Sequence, residues 1–136
     1  MRKPTILCVE DKPNGLTGRG SLLREHGYDV LMTSSGRECL DLLEEADVDG
    51  VILGCDVQEM MGDRVAERMK QLRPYVPIMM LSTQECVPPT ARYTADSFLP
   101  DHVSPNQFVD AVHDMVAAGS PFFHRWLHNW KRRLSA

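Results

Sequence analysis

An α/β fold with one parallel sheet is predicted on three observations. Five short apolar runs recur along the chain, helix-like stretches separate them, and no repeat or low-complexity segment breaks the alternation. Alternating strands and helices of this kind bury both faces of a sheet under helices, a three-layer sandwich. The right-handed crossover rule then leaves few topologies, strand order 2-1-3-4-5 among them. With 136 residues the chain is long enough for one core and too short for two comfortable ones.

The strands are expected at Thr5–Val9, Asp29–Met32, Gly50–Leu53, Ile78–Leu81 and Ser97–Leu99. The third and fourth are nearly continuous apolar runs, as strands covered on both faces should be. Leu16–His26 is the first helical candidate, weakened by Gly15, Gly18 and Gly20. Arg37–Glu45 and Asp63–Leu72 carry apolar residues at helical spacing: Cys39, Leu40 and Leu43 in one, Val65, Met69 and Leu72 in the other. The stretch after Ser82 is the poorest, because Pro88-Pro89 interrupts it. The next helix is well marked. Ser104 can cap it, Pro105 suits its first position, Gln107 completes a capping box, and Gly119 suits its end. A further start, Ser120-Pro121, opens a tail helix to about Leu134. The division is therefore a body, residues 1–118, and an amphipathic tail, 119–136.

Composition narrows the function. A hydrophobic fraction of 43% and a charged fraction of 25% are those of a globular protein. No apolar run reaches bilayer length, and the start lacks the pattern of a signal peptide, so a cytoplasmic location is expected. Cys8, Cys39, Cys55 and Cys86 form no CxxC pair and are read as small core residues. The body holds all 19 acids against 11 of the 15 bases, a net −8, which argues against nucleic-acid binding.

Ligands of such sheets bind beyond the carboxyl ends of the strands. The first strand ends there in Glu10-Asp11, the third in Gly54-Cys55-Asp56, the fourth in Ser82-Thr83, the fifth in Phe98-Leu99-Pro100-Asp101. Adjacent acids at a buried strand end need solvent, a partner or a cation. Spacing alone leaves solvation and Mg²⁺ binding equally open.

Read in order, several segments resemble one family. They are Ile6-Leu7-Cys8-Val9-Glu10-Asp11-Lys12-Pro13, Gly27-Tyr28-Asp29-Val30, Ser35-Gly36-Arg37-Glu38-Cys39-Leu40, Asp49-Gly50-Val51-Ile52-Leu53, Met60-Met61-Gly62, Pro77-Ile78-Met79-Met80-Leu81-Ser82 and Ala95-Asp96-Ser97-Phe98-Leu99. Their order and spacing resemble the response-regulator receiver of two-component phosphorelay signalling, the CheY-like family with its flavodoxin-like fold, over residues 5 to about 117. The resemblance implies that Glu10 and Asp11 hold Mg²⁺ and that Ser82 and Phe98 are switch residues; Asp56 is a further candidate ligand for the same ion, read from the acidic cluster and not from the family. It also implies two losses. The phosphoacceptor position falls on Gly54, which has no side chain to attack phosphorus. The lysine position falls on Asp101, which places a negative charge where a positive one assists. Asp56 is a secondary phosphoacceptor candidate, but two residues along a strand displace it by roughly 6–7 Å. Ser82 has the plain reading of a strand-end hydroxyl bonded to a loop amide, and Phe98 that of a core residue.

The expected function is that of a pseudo-receiver: not an enzyme, not phosphorylated in the usual way, and acting through protein contacts. The alternatives are a receiver phosphorylated at Asp56 with Mg²⁺ and a small flavodoxin-like enzyme. Against the enzyme, no glycine-rich phosphate loop follows the first strand. The tail carries Phe122, Phe123, Trp126 and Trp130, four of the nine aromatics, and Arg125, Lys131, Arg132 and Arg133 with no acid. It is expected to pack on its own domain or to form a partner interface through Phe123, Trp126 and Trp130. That partner is a histidine kinase, another signalling protein or a second copy; an interfacial membrane helix ranks last.

Overall fold

The structure, a computed structural model, describes residues 3–10, 13–54, 62–82, 95–100 and 102–119, with backbone alone at 13–17, 62 and 63. The strands are β1 (Thr5–Val9), β2 (Asp29–Thr33), β3 (Gly50–Gly54), β4 (Ile78–Ser82) and β5 (Ser97–Pro100). The helices among the described residues are α1 (Pro13–Glu25), α2 (Gly36–Glu45), α3 (Gly62–Leu72) and α4 (Pro105–Ala118). All strand pairs are parallel, in the order β2-β1-β3-β4-β5. The predicted fold and strand order are thus observed. The tail, residues 120–136, and the stretch 83–94 lie outside the described residues.

Side chains alternate across the sheet, and the period of two sorts them into two cores. Leu7, Val9, Val51, Leu53, Ile78 and Met80 face α2 and α3, meeting Cys39, Leu43, Val65, Ala66 and Met69. Ile6, Cys8, Ile52, Met79 and Leu81 face α1 and α4, meeting Leu23, Phe108, Val112 and Met115. β1, β3 and β4 are therefore covered on both faces, which is why their sequences are near-continuous apolar runs.

The strands run further than apolarity suggests. β2, β3, β4 and β5 each gain a final residue, Thr33, Gly54, Ser82 and Pro100, because the parallel ladder continues to Val9↔Thr33, Gly54↔Leu81 and Ser82↔Pro100. α1 also begins earlier than expected, at Pro13, since proline lacks the N–H that a first turn leaves unpaired. Its glycines do not break it. Gly20 lies where a Cβ would come within 2.5 Å of Met32 Sδ, so the bare backbone lets β2 and α1 approach. Gly27, at φ +91°, then ends the helix as a left-handed residue.

The caps read from sequence are present. The Ser104 hydroxyl accepts from Gln107 N–H at 3.2 Å and the Gln107 side chain accepts from Ser104 N–H at 3.0 Å. Ser35 caps α2 by accepting from Glu38 N–H at 3.2 Å. At the amino end of the sheet, Asp49 Oδ2 accepts from Thr5 N–H at 2.8 Å, so the start of β3 is fixed to the start of β1.

Candidate functional site

β3 is the central strand and β1 its neighbour, and their register decides what meets at the carboxyl edge of the sheet. Val9 pairs with Leu53, so Glu10 and Gly54 lie side by side one step further along. The Glu10 N–H donates to Thr33 O at 3.2 Å, which holds its backbone to the end of β2. A Cβ placed on Gly54 would stand 3.3 Å from Val9 O and 3.4 Å from Glu10 Cγ. The Glu10 side chain therefore leans over Gly54, against the space that a side chain at position 54 would enter. Gly54 has no left-handed backbone demand, so it is there for want of a side chain and not for a turn.

The Glu10 carboxylate is engaged. Arg19 Nη1 donates to Glu10 Oε1, and the two side chains are mostly withdrawn from water, at 20% and 12% exposure respectively. The guanidinium carbon lies 5.9 Å from the centre of the Phe108 ring, a cation–π distance. One arginine thus connects α1, the end of β1 and α4. Helical spacing carried the signal for it: Leu16, Arg19 and Leu23 share a stripe, and Leu23 is fully buried. A charge on the inward stripe of a helix must find a partner. The negative charge of Glu10 also reaches Cys8, whose thiol is pushed up to about 12, first by burial and then by that charge.

Ser82 ends β4 half-buried, one step beyond the Leu81–Gly54 pair, so Glu10, Gly54 and Ser82 share the carboxyl edge of the sheet. Phe98 does not join them as core. It is 41% exposed on the edge strand β5, although its register partner Met80 is buried in the core on the α2/α3 side. The plain core reading of Phe98 is corrected accordingly. Asp11, Asp56, Asp101, Phe123, Trp126 and Trp130 lie outside the described residues.

Two polar constellations escaped the sequence reading. Lys70 Nζ donates to Asp96 Oδ2 at 2.6 Å and to Val76 O at 2.8 Å, with both charged side chains at 3% exposure or less. The same carboxylate oxygen accepts from Ile78 N–H at 2.8 Å. This pair closes the amino end of the sheet, opposite the cleft. Tyr28, buried ahead of β2, hydrogen-bonds through its hydroxyl to His113 Nδ1 on α4, with ring centres 5.2 Å apart. Burial raises the Tyr28 hydroxyl above its ordinary value.

Fold and register define a doubly wound α/β domain with an acid at the carboxyl edge of its sheet. Residues 6–113 match the response regulator receiver domain, and the chain belongs to that family. The transcriptional regulatory protein GlrR of Escherichia coli K12 is 29% identical over 119 residues, 85% of this chain and 27% of GlrR. The chain thus spans about a quarter of that relative's length. A CheY-like receiver from Methanospirillum hungatei superimposes with a TM-score of 0.80 at 19% identity, covering 86% of this chain and 96% of that one. The receiver of the sensor histidine kinase PA1611 of Pseudomonas aeruginosa, described with a magnesium ion in its active-site cleft, gives 0.75 at 19% identity, over 85% and 99% of the two chains.

A resident Mg²⁺ needs several hard oxygen donors in near-octahedral array. Among the described residues the fit is poor. Gly54 brings no carboxylate, Glu10 is already engaged by Arg19, and no three His, Cys, Asp or Glu converge.

Proposed function

We propose that this chain is a pseudo-receiver: a member of a two-component pathway that is not phosphorylated in the usual way and acts through protein–protein contact. Gly54 carries this reading. It stands at the centre of the sheet's carboxyl edge, where the family's nucleophile belongs, and the neighbouring glutamate packs against it. The sequence adds Asp101 at the lysine position, which opposes an incoming phosphoryl group. With neither the family's nucleophile nor its lysine, the domain neither accepts nor releases phosphate and is not an enzyme.

Its partner is a histidine kinase, another signalling protein or a second copy of the chain. Phe98, exposed on β5, and the tail residues Phe123, Trp126 and Trp130 supply the aromatic anchors that such contacts use. Nucleic acid is a poor fit to an acidic body, whatever other domains accompany it in longer relatives. Two units serve this role, a receiver-like body over 1–118 and an aromatic, basic tail over 119–136, and we place both in the cytoplasm. Among the described residues no helix is long and apolar enough to cross a membrane.

Incubation with Mg²⁺ and a small acyl phosphate, followed by intact-mass measurement, tests the reading. No labile phosphoryl adduct is expected. An adduct abolished by Asp56→Asn would overturn it in favour of a receiver that uses Asp56 and Mg²⁺.

A further inference from the structure

We infer that Arg19 is the resident cation of the strand-end cleft, standing in for a divalent metal and closing the cleft to it. This deepens the pseudo-receiver reading by naming what neutralises the site.

Glu10 is an acid that the resemblance to the receiver family gives to the metal, and its Oε1 is instead the acceptor of the Arg19 guanidinium. The interaction is charge-assisted and mostly withdrawn from water, the setting in which such a pair is strongest. Arg19 is also held from behind. Its guanidinium rests at 5.9 Å from the Phe108 ring centre, and Phe108 is itself 3% exposed in the core under α4. A side chain fixed at both its acid and its aromatic contact gives up little further entropy in staying there.

Donor count points the same way. Gly54 brings no side-chain oxygen to the middle of the sheet's carboxyl edge, so a metal there has one ligand fewer, whereas a guanidinium needs only the Glu10 carboxylate. Arg19 holds Oε1 of Glu10, so Mg²⁺ at the other oxygen of that carboxylate would stand beside the guanidinium, and the two cations repel one another at such separations. Mg²⁺ also surrenders its water shell reluctantly, and Gly54 offers no oxygen from a side chain in exchange.

The test is metal binding read without any phosphodonor. Mg²⁺ is titrated into the full chain while the backbone amide resonances of Glu10 and Gly54 are followed. The wild type is expected to show no saturable shift over the range that saturates Arg19→Gln, whose affinity should be about ten- to a hundredfold higher. Arg19→Lys, which keeps a cation on the helix, should stay as closed as the wild type. Equal affinity in wild type and Arg19→Gln overturns the inference, and so does a folded Arg19→Gln that binds no Mg²⁺. Should Arg19→Gln fail to fold, the wild type decides: saturable shifts at both amides overturn the inference, and their absence supports it. A Mg²⁺-dependent aspartyl phosphate would sink the functional reading and this inference with it, whereas Mg²⁺ binding in the wild type without an adduct would sink this one alone.

Discussion

Lys70 and Asp96 illustrate what a buried charge requires. Each would be costly alone in the interior, and each is tolerated because the ammonium also donates to Val76 O and the carboxylate also accepts from Ile78 N–H. Lys70→Met should therefore destabilise the domain by about 3–5 kcal/mol in urea unfolding, since it removes the ammonium that faces the buried Asp96 carboxylate. Asp96→Asn should cost less, because the amide oxygen still accepts from Ile78. Buried thiols give a second prediction. Cys8 and Cys39 are both raised from 9.0 to about 12, chiefly by burial, so they stay protonated in the fold at pH values where the unfolded chain ionises them. Their contribution is complete below pH 9 and is lost as pH rises towards 12, by up to ~1.4 kcal/mol per unit for each thiol. Denaturant midpoints measured across that range check the slope. None of these partners was legible in the sequence. Lys70 lies one residue past Met69 on the core side of α3, and nothing local says that its carboxylate sits 26 residues away. Gly54 was legible, because its meaning is the absence of a side chain at a place that the strand pattern locates.

At the scale of elements, helix α1 sets two glycines side by side with opposite expectations. Gly18 has open space around an added Cβ and a right-handed backbone, so Gly18→Ala should stabilise by about 0.5–1 kcal/mol. Gly20→Ala should destabilise, because Met32 Sδ stands 2.5 Å from the new carbon and has to repack, at roughly 1–3 kcal/mol. Thermal unfolding of the pair separates backbone entropy from packing within one helix. Helix α4 gives the complementary case. Ser104→Ala removes the acceptor for Gln107 N–H and should cost about 1 kcal/mol. That cap was readable in the sequence, because capping is local and its residues are contiguous. The approach of Met32 to Gly20 was not, since two elements must meet before the missing Cβ acquires a reason.

For the whole molecule, alternation of strands and helices narrowed the strand order to a few, because crossover handedness excludes most rivals, and the resemblance to the receiver family chose the observed one among them. Strand ends were anticipated less well. Hydrophobicity stops at the cleft, whereas the parallel ladder runs one residue into it, and the chemistry sits in that last residue. Removing residues 120–136 tests the tail as an interface. A loss of self-association or of kinase binding, with the unfolding midpoint of the body unchanged, is the expected outcome in solution-mass and binding measurements. The Lys70–Asp96 tie also has a mechanical side. It fastens the end of α3 to the start of β5, while β4 and β5 are joined by their own register from Met79↔Ser97 to Ser82↔Pro100. A force that draws α3 away from the sheet must break a buried ion pair before it can peel β5 from β4, so these three elements resist pulling as one unit.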